Sequence, residues 1–409
     1  MNPEKFDVII VGAGPAGCSC ALMLADSGLN IAIIDKGTTP REKICGDALS
    51  NDVINQLALF PPQVKNAFDK ITEKIPSSGI RFYSPKGDCL EISFESLGKK
   101  DISGFVCKRR YFDEVLISSL KEYTNIKLFE GNEITDIKIE SEGVLVLTAT
   151  DSFHSKLIVG ADGANSLVAN KLGNIDKDKS SVCLGLRGYF ENVKGFHKKN
   201  FIELHFYKEV LPAYIWLFPM GNNFANVGIG MLASDVSKRK INLKSQLEKF
   251  INVHPNLSPR FMAAEQTGKF EAWTIPLGTK KRNISGERFL LAGDAASLVD
   301  PFSGEGVGNA LRSGRVAAEH IKACFQFNRF DKAFNASYDK EIYNKMWNEL
   351  KMNHAIQKLF KHAKFINFAI EKANSNEYFR NLIADAMTNQ DIKKKLIKPY
   401  LFYKTIIRG

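Results

Sequence analysis

Short apolar runs rich in β-branched residues punctuate the first half of the chain, and glycine follows the first of them at once. Phe6 to Val11 is the first. It is continuous rather than alternating, so it reads as a strand buried on both faces. Ala16 to Ser27 carries helix-like small and apolar residues and stops at Gly28. Leu29 to Asp35 is a second apolar strand. Residues 6–35 therefore predict a βαβ unit of about 30 residues.

Mixed signals follow. Ile80–Tyr83, Leu90–Phe94 and Gly104–Cys107 predict short strands, and Tyr111–Tyr123 an amphipathic helix. Ile126–Phe129, Ile134–Glu140, Val144–Thr150 and Lys156–Gly160 predict strands separated by turn residues. From Val182 to Trp273 the strands are longer and rich in aromatics: Gly185–Phe190, Phe201–Tyr207, Ala213–Phe218 and Ala225–Met231. A helix near Leu243–Val253 interrupts them. Arg288–Ala292 returns to a buried strand and Gly306–Ala323 to a long helix. After Phe330 nearly everything reads as helix. No internal repeat or low-complexity segment is present.

Composition sets bounds on this picture. The 409 residues are 44% hydrophobic and 25% charged, ordinary for a globular protein of two or three structural units. A disordered tail, a collagen and a disulfide mini-domain are excluded. Seven cysteines are scattered without zinc-ligand spacing, which reads as reduced thiols in a cytoplasmic protein. The N-terminal segment lacks the form of a signal peptide. No stretch approaches the ~20 apolar residues that span a bilayer. Net charge is +11, and Asp331–Gly409 holds 15 Lys and Arg against 8 Asp and Glu, or +7 of it. Such a basic end suits nucleic acid, anionic lipid or simple solubility.

The candidate chemistry begins at Gly12-Ala13-Gly14-Pro15-Ala16-Gly17, which fits G-x-G-x-x-G. A strand precedes it, a helix follows, and Asp35 ends the next strand 18 residues after Gly17. Gly12 permits the tight turn, Gly14 lets backbone approach a pyrophosphate, and Gly17 lets helix and strand pack closely. The helix N-terminus offers free N–H groups, and Asp35 can accept from a ribose. Two more carboxylates stand at strand ends, Asp162 in Gly160-Ala161-Asp162-Gly163 and Asp294 in Ala292-Gly293-Asp294. Pro301-Phe302-Ser303-Gly304-Glu305-Gly306-Val307 then opens the long helix, with glycines that let backbone reach a planar ring. The helix N-terminus there favours negative charge on such a ring.

These three separated motifs resemble the FAD-binding signature of the p-hydroxybenzoate hydroxylase-like flavoproteins. The resemblance covers residues 1–175 and 280–325 and implies an extended FAD. It implies an α/β fold, α+β overall: a Rossmann-like FAD-binding domain with an inserted, mostly antiparallel β-sheet substrate domain and a helical C-terminal region. The expected boundaries are 1–75 plus 105–175 plus 280–330 for the FAD-binding domain, 76–104 plus 176–279 for the substrate domain, and 331–409 for the C-terminal region. The cofactor contacts it implies are Gly12 to Gly17, Asp35 with Lys36 on the adenosine side, Arg41, Cys45, Gly46 and Ala48. It adds Arg109 at a helix start, Ile134, Asp162 with Gly163, Gly293 with Asp294 at the ribityl or pyrophosphate region, and Gly304, Gly306 and Val307 against the ring. No second G-x-G-x-x-G follows a strand, so NAD(P)H, if used, binds only transiently as reductant.

Two segments narrow the resemblance. Pro40-Arg41-Glu42-Lys43-Ile44-Cys45-Gly46-Asp47 is similar to the P-x-x-x-x-C-G-G segment of geranylgeranyl reductases, with Asp47 in place of the second glycine. Tyr214-Ile215-Trp216-Leu217-Phe218-Pro219-Met220-Gly221 is similar to their Y-x-W-x-F-P-x-G. On a strand Tyr214, Trp216 and Phe218 share one face, an aromatic wall suited to an extended apolar chain. Read without the resemblance, that face suits an ordinary core equally. The resemblance implies an oxidoreductase that reduces C=C bonds of a polyprenyl or isoprenoid lipid by hydride transfer from reduced flavin. Cys45, Tyr214 and Trp216 are its expected catalytic residues, and Tyr214, Trp216, Phe218 and Pro219 its substrate contacts. Cys45 reads equally as a proton donor or as a small residue packing the ring. The alternative is an FAD-dependent monooxygenase or halogenase acting on an aromatic or other apolar molecule, since halogenases carry a related W-x-W-x-I-P. A non-catalytic lipid-binding flavoprotein is a third reading.

Ile392–Arg408 alternates lysines with apolar and aromatic residues. It reads either as a helical cap with a solvated basic face or as peripheral contact with anionic lipid. No nucleic-acid-binding motif appears. The seven histidines form no metal pattern, so no metal is expected. A G-x-S-x-G elbow is absent.

Overall fold

The computed structural model describes residues 3–94, 104–173 and 178–388. Its helices in chain order are α1 (Pro15–Leu24), α2 (Asn51–Leu57), α3 (Pro62–Asp69), α4 (Arg109–Leu120), α5 (Ala233–Arg239), α6 (Leu243–Val253), α7 (Ser258–Phe261), α8 (Val307–Phe327), α9 (Lys332–Leu359), α10 (Ala363–Ser375) and α11 (Glu377–Thr388).

Five short apolar runs assemble into one parallel sheet. Phe289–Leu291, Leu157–Gly160, Val8–Val11, Ile31–Ile34 and Ile126–Phe129 lie side by side in that order, with Ser285–Gly286 added antiparallel at the edge. Helices α1 and α8, together with Ile137, Val144, Val146 and Phe153 of a separate four-stranded sheet, bury its central strands in one core, so those strands need no polar alternation. α1 packs against α8 at close range, where Ser19 Oγ donates to Leu311 O at 2.6 Å. A Cβ on Gly314 would fall 2.2 Å from Ala16 O, so only glycine admits that approach.

The aromatic-rich strands build a second sheet of seven: Glu265–Pro276, Val182–Glu191, Ala225–Leu232, Tyr214–Pro219, Ile202–His205, Gly79–Tyr83 and Cys89–Ser93. All neighbours are antiparallel except Ile202–His205 and Gly79–Tyr83. Period-two alternation divides its side chains. Ile215, Leu217, Val227 and Ile229 pack under Leu247 and Phe250 of α6. Leu204, Phe206, Trp216 and Phe218 face the other way, toward Ile366 and Ile370 of α10 and Phe379 of α11.

Several elements went unread in the sequence. Strand Glu265–Pro276 is an edge strand whose first half is exposed and polar, which removes the apolar alternation that marks a strand. Ser152–Ser155 is only four residues long. α2 and α3 span seven and eight residues, too few for a clear period. The first helix starts at Pro15 and stops at Leu24 rather than Ser27. Among the described residues no helix is long and apolar enough to cross a membrane. The Ile392–Arg408 segment lies outside the described residues.

Candidate functional site

The turn after strand Val8–Val11 forms a cradle at the start of α1. Gly12 takes φ +100°, and a Cβ there would sit 2.5 Å from Ala161 O. One on Gly17 would sit 1.9 Å from Gly12 O. Gly14 differs: its nearest neighbour would be an Arg41 nitrogen at 3.8 Å, so its backbone looks into open space. Gly14 caps α1 without a side-chain bond, and Pro15 follows where an N–H would go unused. Asp35 is buried, accepting from Ala13 N at 2.6 Å and Gly37 N at 2.7 Å, and paired with Arg41 at 2.6 Å. Arg41 Nε is buried without a partner, as is Asp162 Oδ1. Open backbone donors, a fixed carboxylate and unspent polar atoms on one rim suit a dinucleotide.

A second constellation lies where the two sheets meet. Asp47 adopts φ +65°, the conformation that glycine enters most freely, at the place where the reductase segment carries glycine. Its carboxylate accepts from Tyr189 Oη at 2.6 Å, Asn226 Nδ2 at 2.8 Å and Arg109 N at 3.2 Å. Asp47 thus faces the seven-stranded sheet and fixes the turn carrying Cys45 and Gly46. Burial raises its pKa, opposed by the bonds from Tyr189 and Asn226. Burial also pushes the Cys45 thiol up, with the neighbouring Arg109 guanidinium working against it. Arg109 opens α4 as expected, buried and bidentate on Asp113 at 2.8 and 2.9 Å. Lys43 lies 3.7 Å over the Trp273 ring, and burial lowers its pKa to about 8.

The aromatic strand meets this turn directly. A Cβ on Gly46 would lie 3.2 Å from the Phe218 ring and 3.5 Å from Trp216 Nε1. Tyr214 Oη donates to Ser303 O and so ties the strand to the loop before α8. Asp300 organises that loop, its Oδ1 accepting from Phe302 N at 2.9 Å, Ser303 N at 2.7 Å and Ser303 Oγ at 2.9 Å. α9 clamps the same loop through Asn353 on Asp300 and Gln357 Nε2 on Pro301 O at 2.6 Å. Asp294 lies beside Gly306, and burial raises its pKa, with Lys43 and Arg109 opposing.

The Cys45–Ser50 turn, the aromatic strand and the loop before α8 border a cavity of about 1190 Å³. Cys45, Gly46, Ala48, Tyr214, Trp216, Phe218, Gly304, Gly306 and Val307 line it together. Of the other expected contacts, Pro219 ends its strand outside this lining, Lys36 is exposed on the far rim, and Ile134 starts a strand packed on the parallel-sheet core. Sequence reasoning missed Asn226, Tyr189, Glu305 and the α9 pair Asn353 and Gln357. One signal was available: glycines within the strand Ala225–Leu232 mark close approach. A Cβ on Gly228 would lie 2.1 Å from the Trp216 ring.

The sequence matches the family described as FAD binding domain over residues 5–326. The chain belongs to that family. FAD is therefore the cofactor of this FAD-binding-domain protein. The family match ends at the last turn of α8, so α9 to α11, which close one side of the cavity, lie beyond it. The chain is similar to the menaquinone reductase of Mycolicibacterium smegmatis, 29% identical over 78% of this chain and 76% of that one. It is similar to the digeranylgeranylglycerophospholipid reductase of Methanococcus vannielii, 28% identical over 97% of this chain and 95% of that one. In three dimensions it resembles a geranylgeranyl bacteriochlorophyll reductase-like protein from Thermoplasma acidophilum, with a TM-score of 0.80, 22% identity, and coverage of 97% and 99% of the two chains.

Proposed function

We propose that this FAD-binding protein is a reductase of carbon–carbon double bonds in a polyprenyl lipid. One observation carries the reading: a large, mostly apolar cavity runs from the Cys45–Ala48 turn and the Ser303–Val307 loop across the Tyr214, Trp216 and Phe218 face. The end at the Ser303–Val307 loop is the share of this volume that a flavin ring would take, and the apolar remainder reaches on to Ile366, Ile370 and Phe379, as an extended hydrocarbon requires. The names of two relatives, menaquinone reductase and digeranylgeranylglycerophospholipid reductase, share a polyprenyl tail as the common chemical element.

In this reading the Gly12–Gly17 cradle, with Asp35 and Arg41, holds the adenosine and diphosphate portion of FAD. Asp294 and the Gly304–Val307 backbone hold its ribityl and ring portions. Residues 1–75, 105–175 and 280–330 serve the cofactor, and 76–104 with 176–279 serve the substrate. When bound, FAD supplies two-electron reducing chemistry at its ring. The aromatic face excludes water and lays the prenyl chain along the strand. Reducing an alkene also needs a proton. Tyr214 has its proton engaged by Ser303 O, so it positions the loop. Cys45 stays a thiol at neutral pH because burial raises its pKa, and it holds the proton at Sγ for delivery. Because its substrate dissolves in lipid, the protein works at a membrane surface, with the basic Ile392–Arg408 segment as the contact.

The test is anaerobic. Dithionite reduces the purified holoprotein, a geranylgeranyl lipid is added, and reoxidation is followed near about 450 nm, where a flavin absorbs. Reoxidation with two hydrogens gained by the lipid is expected. Reoxidation only on admission of oxygen sinks the reading and favours a monooxygenase or halogenase.

A further inference from the structure

The charged residues around the cavity are unevenly chosen. Among the described residues lining it are five carboxylic acids, Asp47, Asp52, Asp300, Glu305 and Glu349, and a single cation, Arg312. No described lysine or histidine lines it. The acids come from the Cys45–Ser50 turn, α2, the loop before α8, and α9, whereas the hydrocarbon lining comes from the seven-stranded sheet with α10 and α11.

The one cation is already matched. Arg312 pairs with Asp52 across α8 and α2 and reaches Asn309 Oδ1 at 3.5 Å. Asp47 and Asp300 spend their oxygens on protein donors, as described above, and neither carboxylate can donate to a phosphate. Ser50 Oγ donates to Glu305, leaving that hydroxyl committed as well. A phosphate or diphosphate is recognised by charge-assisted donors, typically an arginine fork, a lysine or free backbone N–H groups. None of the described lining side chains offers an uncommitted positive charge. An uncharged head needs only one or two ordinary hydrogen bonds and meets no like charge.

We infer that the cavity selects polyprenyl substrates with an uncharged head, a quinone or an alcohol, over those that carry a phosphate or diphosphate. This inference rests on the polyprenyl reading above and goes beyond it, because the relatives named there differ in head group.

Head charge can be varied at constant tail. The FAD-loaded full-length chain is titrated in non-ionic detergent with geranylgeraniol, geranylgeranyl diphosphate and menaquinone, and binding is read from tryptophan fluorescence, to which Trp216 in the cavity wall contributes. Geranylgeraniol and menaquinone are expected to bind at least tenfold more tightly than the diphosphate. Asp52→Asn, which releases Arg312, is expected to bring the diphosphate within a factor of a few of the alcohol. Glu305→Gln, which removes a second acid, shifts the ratio the same way should the first variant fold poorly. Equal or tighter binding of the diphosphate by the unaltered protein overturns the inference. So does an unchanged ratio in a folded variant. If none of the three perturbs the fluorescence, the polyprenyl reading itself fails and the head-group rule falls with it.

Discussion

The indole N–H of Trp216 is donated to Oδ1 of Asn226 at 2.8 Å, two buried side chains on adjacent strands. The amide nitrogen of Asn226 then reaches Cys45 O and Asp47 Oδ2, both at 2.8 Å. One amide therefore sets the angle of the cavity wall and the height of the cysteine turn together. Asn226→Ala strands the Trp216 donor and removes one of the bonds to Asp47. A loss of about 2–4 kcal/mol is expected from leaving such buried groups unpaired, read as a lower urea midpoint. An unchanged midpoint would show that the amide contributes nothing to stability.

The cradle predicts opposite behaviour for two glycines two positions apart. Gly12→Ala puts a Cβ 2.5 Å from backbone at φ +100° and should destabilise the apoprotein by several kcal/mol. Gly14→Ala meets nothing nearer than 3.8 Å and should leave apoprotein stability within about 0.5 kcal/mol. Its added methyl stands where the FAD diphosphate would approach, so FAD affinity should fall at least about tenfold. Calorimetry of the apoproteins beside equilibrium dialysis of FAD separates the two effects.

Glu305 gives a pH signature. Burial, aided by Asp52, Asp300 and Glu349, raises its pKa to about 7 despite the bond from Ser50. A carboxyl whose folded pKa exceeds its unfolded value favours the folded state most when protonated. Its contribution is therefore greatest below about pH 4.3, declines between there and about 7, and is unfavourable and constant above. Glu305→Gln should flatten that part of the stability profile, measured by urea unfolding from pH 5 to 8. A profile of unaltered slope would mean that Glu305 titrates normally.

If Cys45 supplies the proton, Cys45→Ala should slow lipid reduction by about 10²-fold or more while FAD stays bound. Tyr214→Phe loses only its tie to Ser303 O and should cost less. Single-turnover reoxidation of the reduced protein distinguishes them. Wild-type rates in the cysteine variant would remove Cys45 from the proton path.

Contact with membrane is checked by sedimentation with anionic vesicles. Binding to vesicles with anionic lipid, weakened by salt and by removal of residues 389–409, is expected. Recovery of all protein in the supernatant at low salt would rule the surface contact out.

The glycine cradle was legible because its geometry is local. A strand, a tight turn and a helix start occupy 20 consecutive residues or so, and each glycine has a separate steric reason. The shared face of Tyr214, Trp216 and Phe218 was legible for the same kind of reason, since strand alternation needs no knowledge of the partner. The edge strand Glu265–Pro276 was not, because its exposed half has no core to record.

What the sequence by itself determined is a dinucleotide-binding βαβ unit and the presence of an aromatic face. Each is a matter of periodicity or of backbone sterics within a short segment. Only the tertiary structure decided that this face borders the Ser303–Val307 loop, that Asp47 turns its carboxylate into the sheet, and that α9 holds the loop through Asn353 and Gln357. Those relations join residues 53 to 179 positions apart. Hydrogen bonds and charge compensation at that separation leave no local pattern, because either partner alone is an ordinary polar residue.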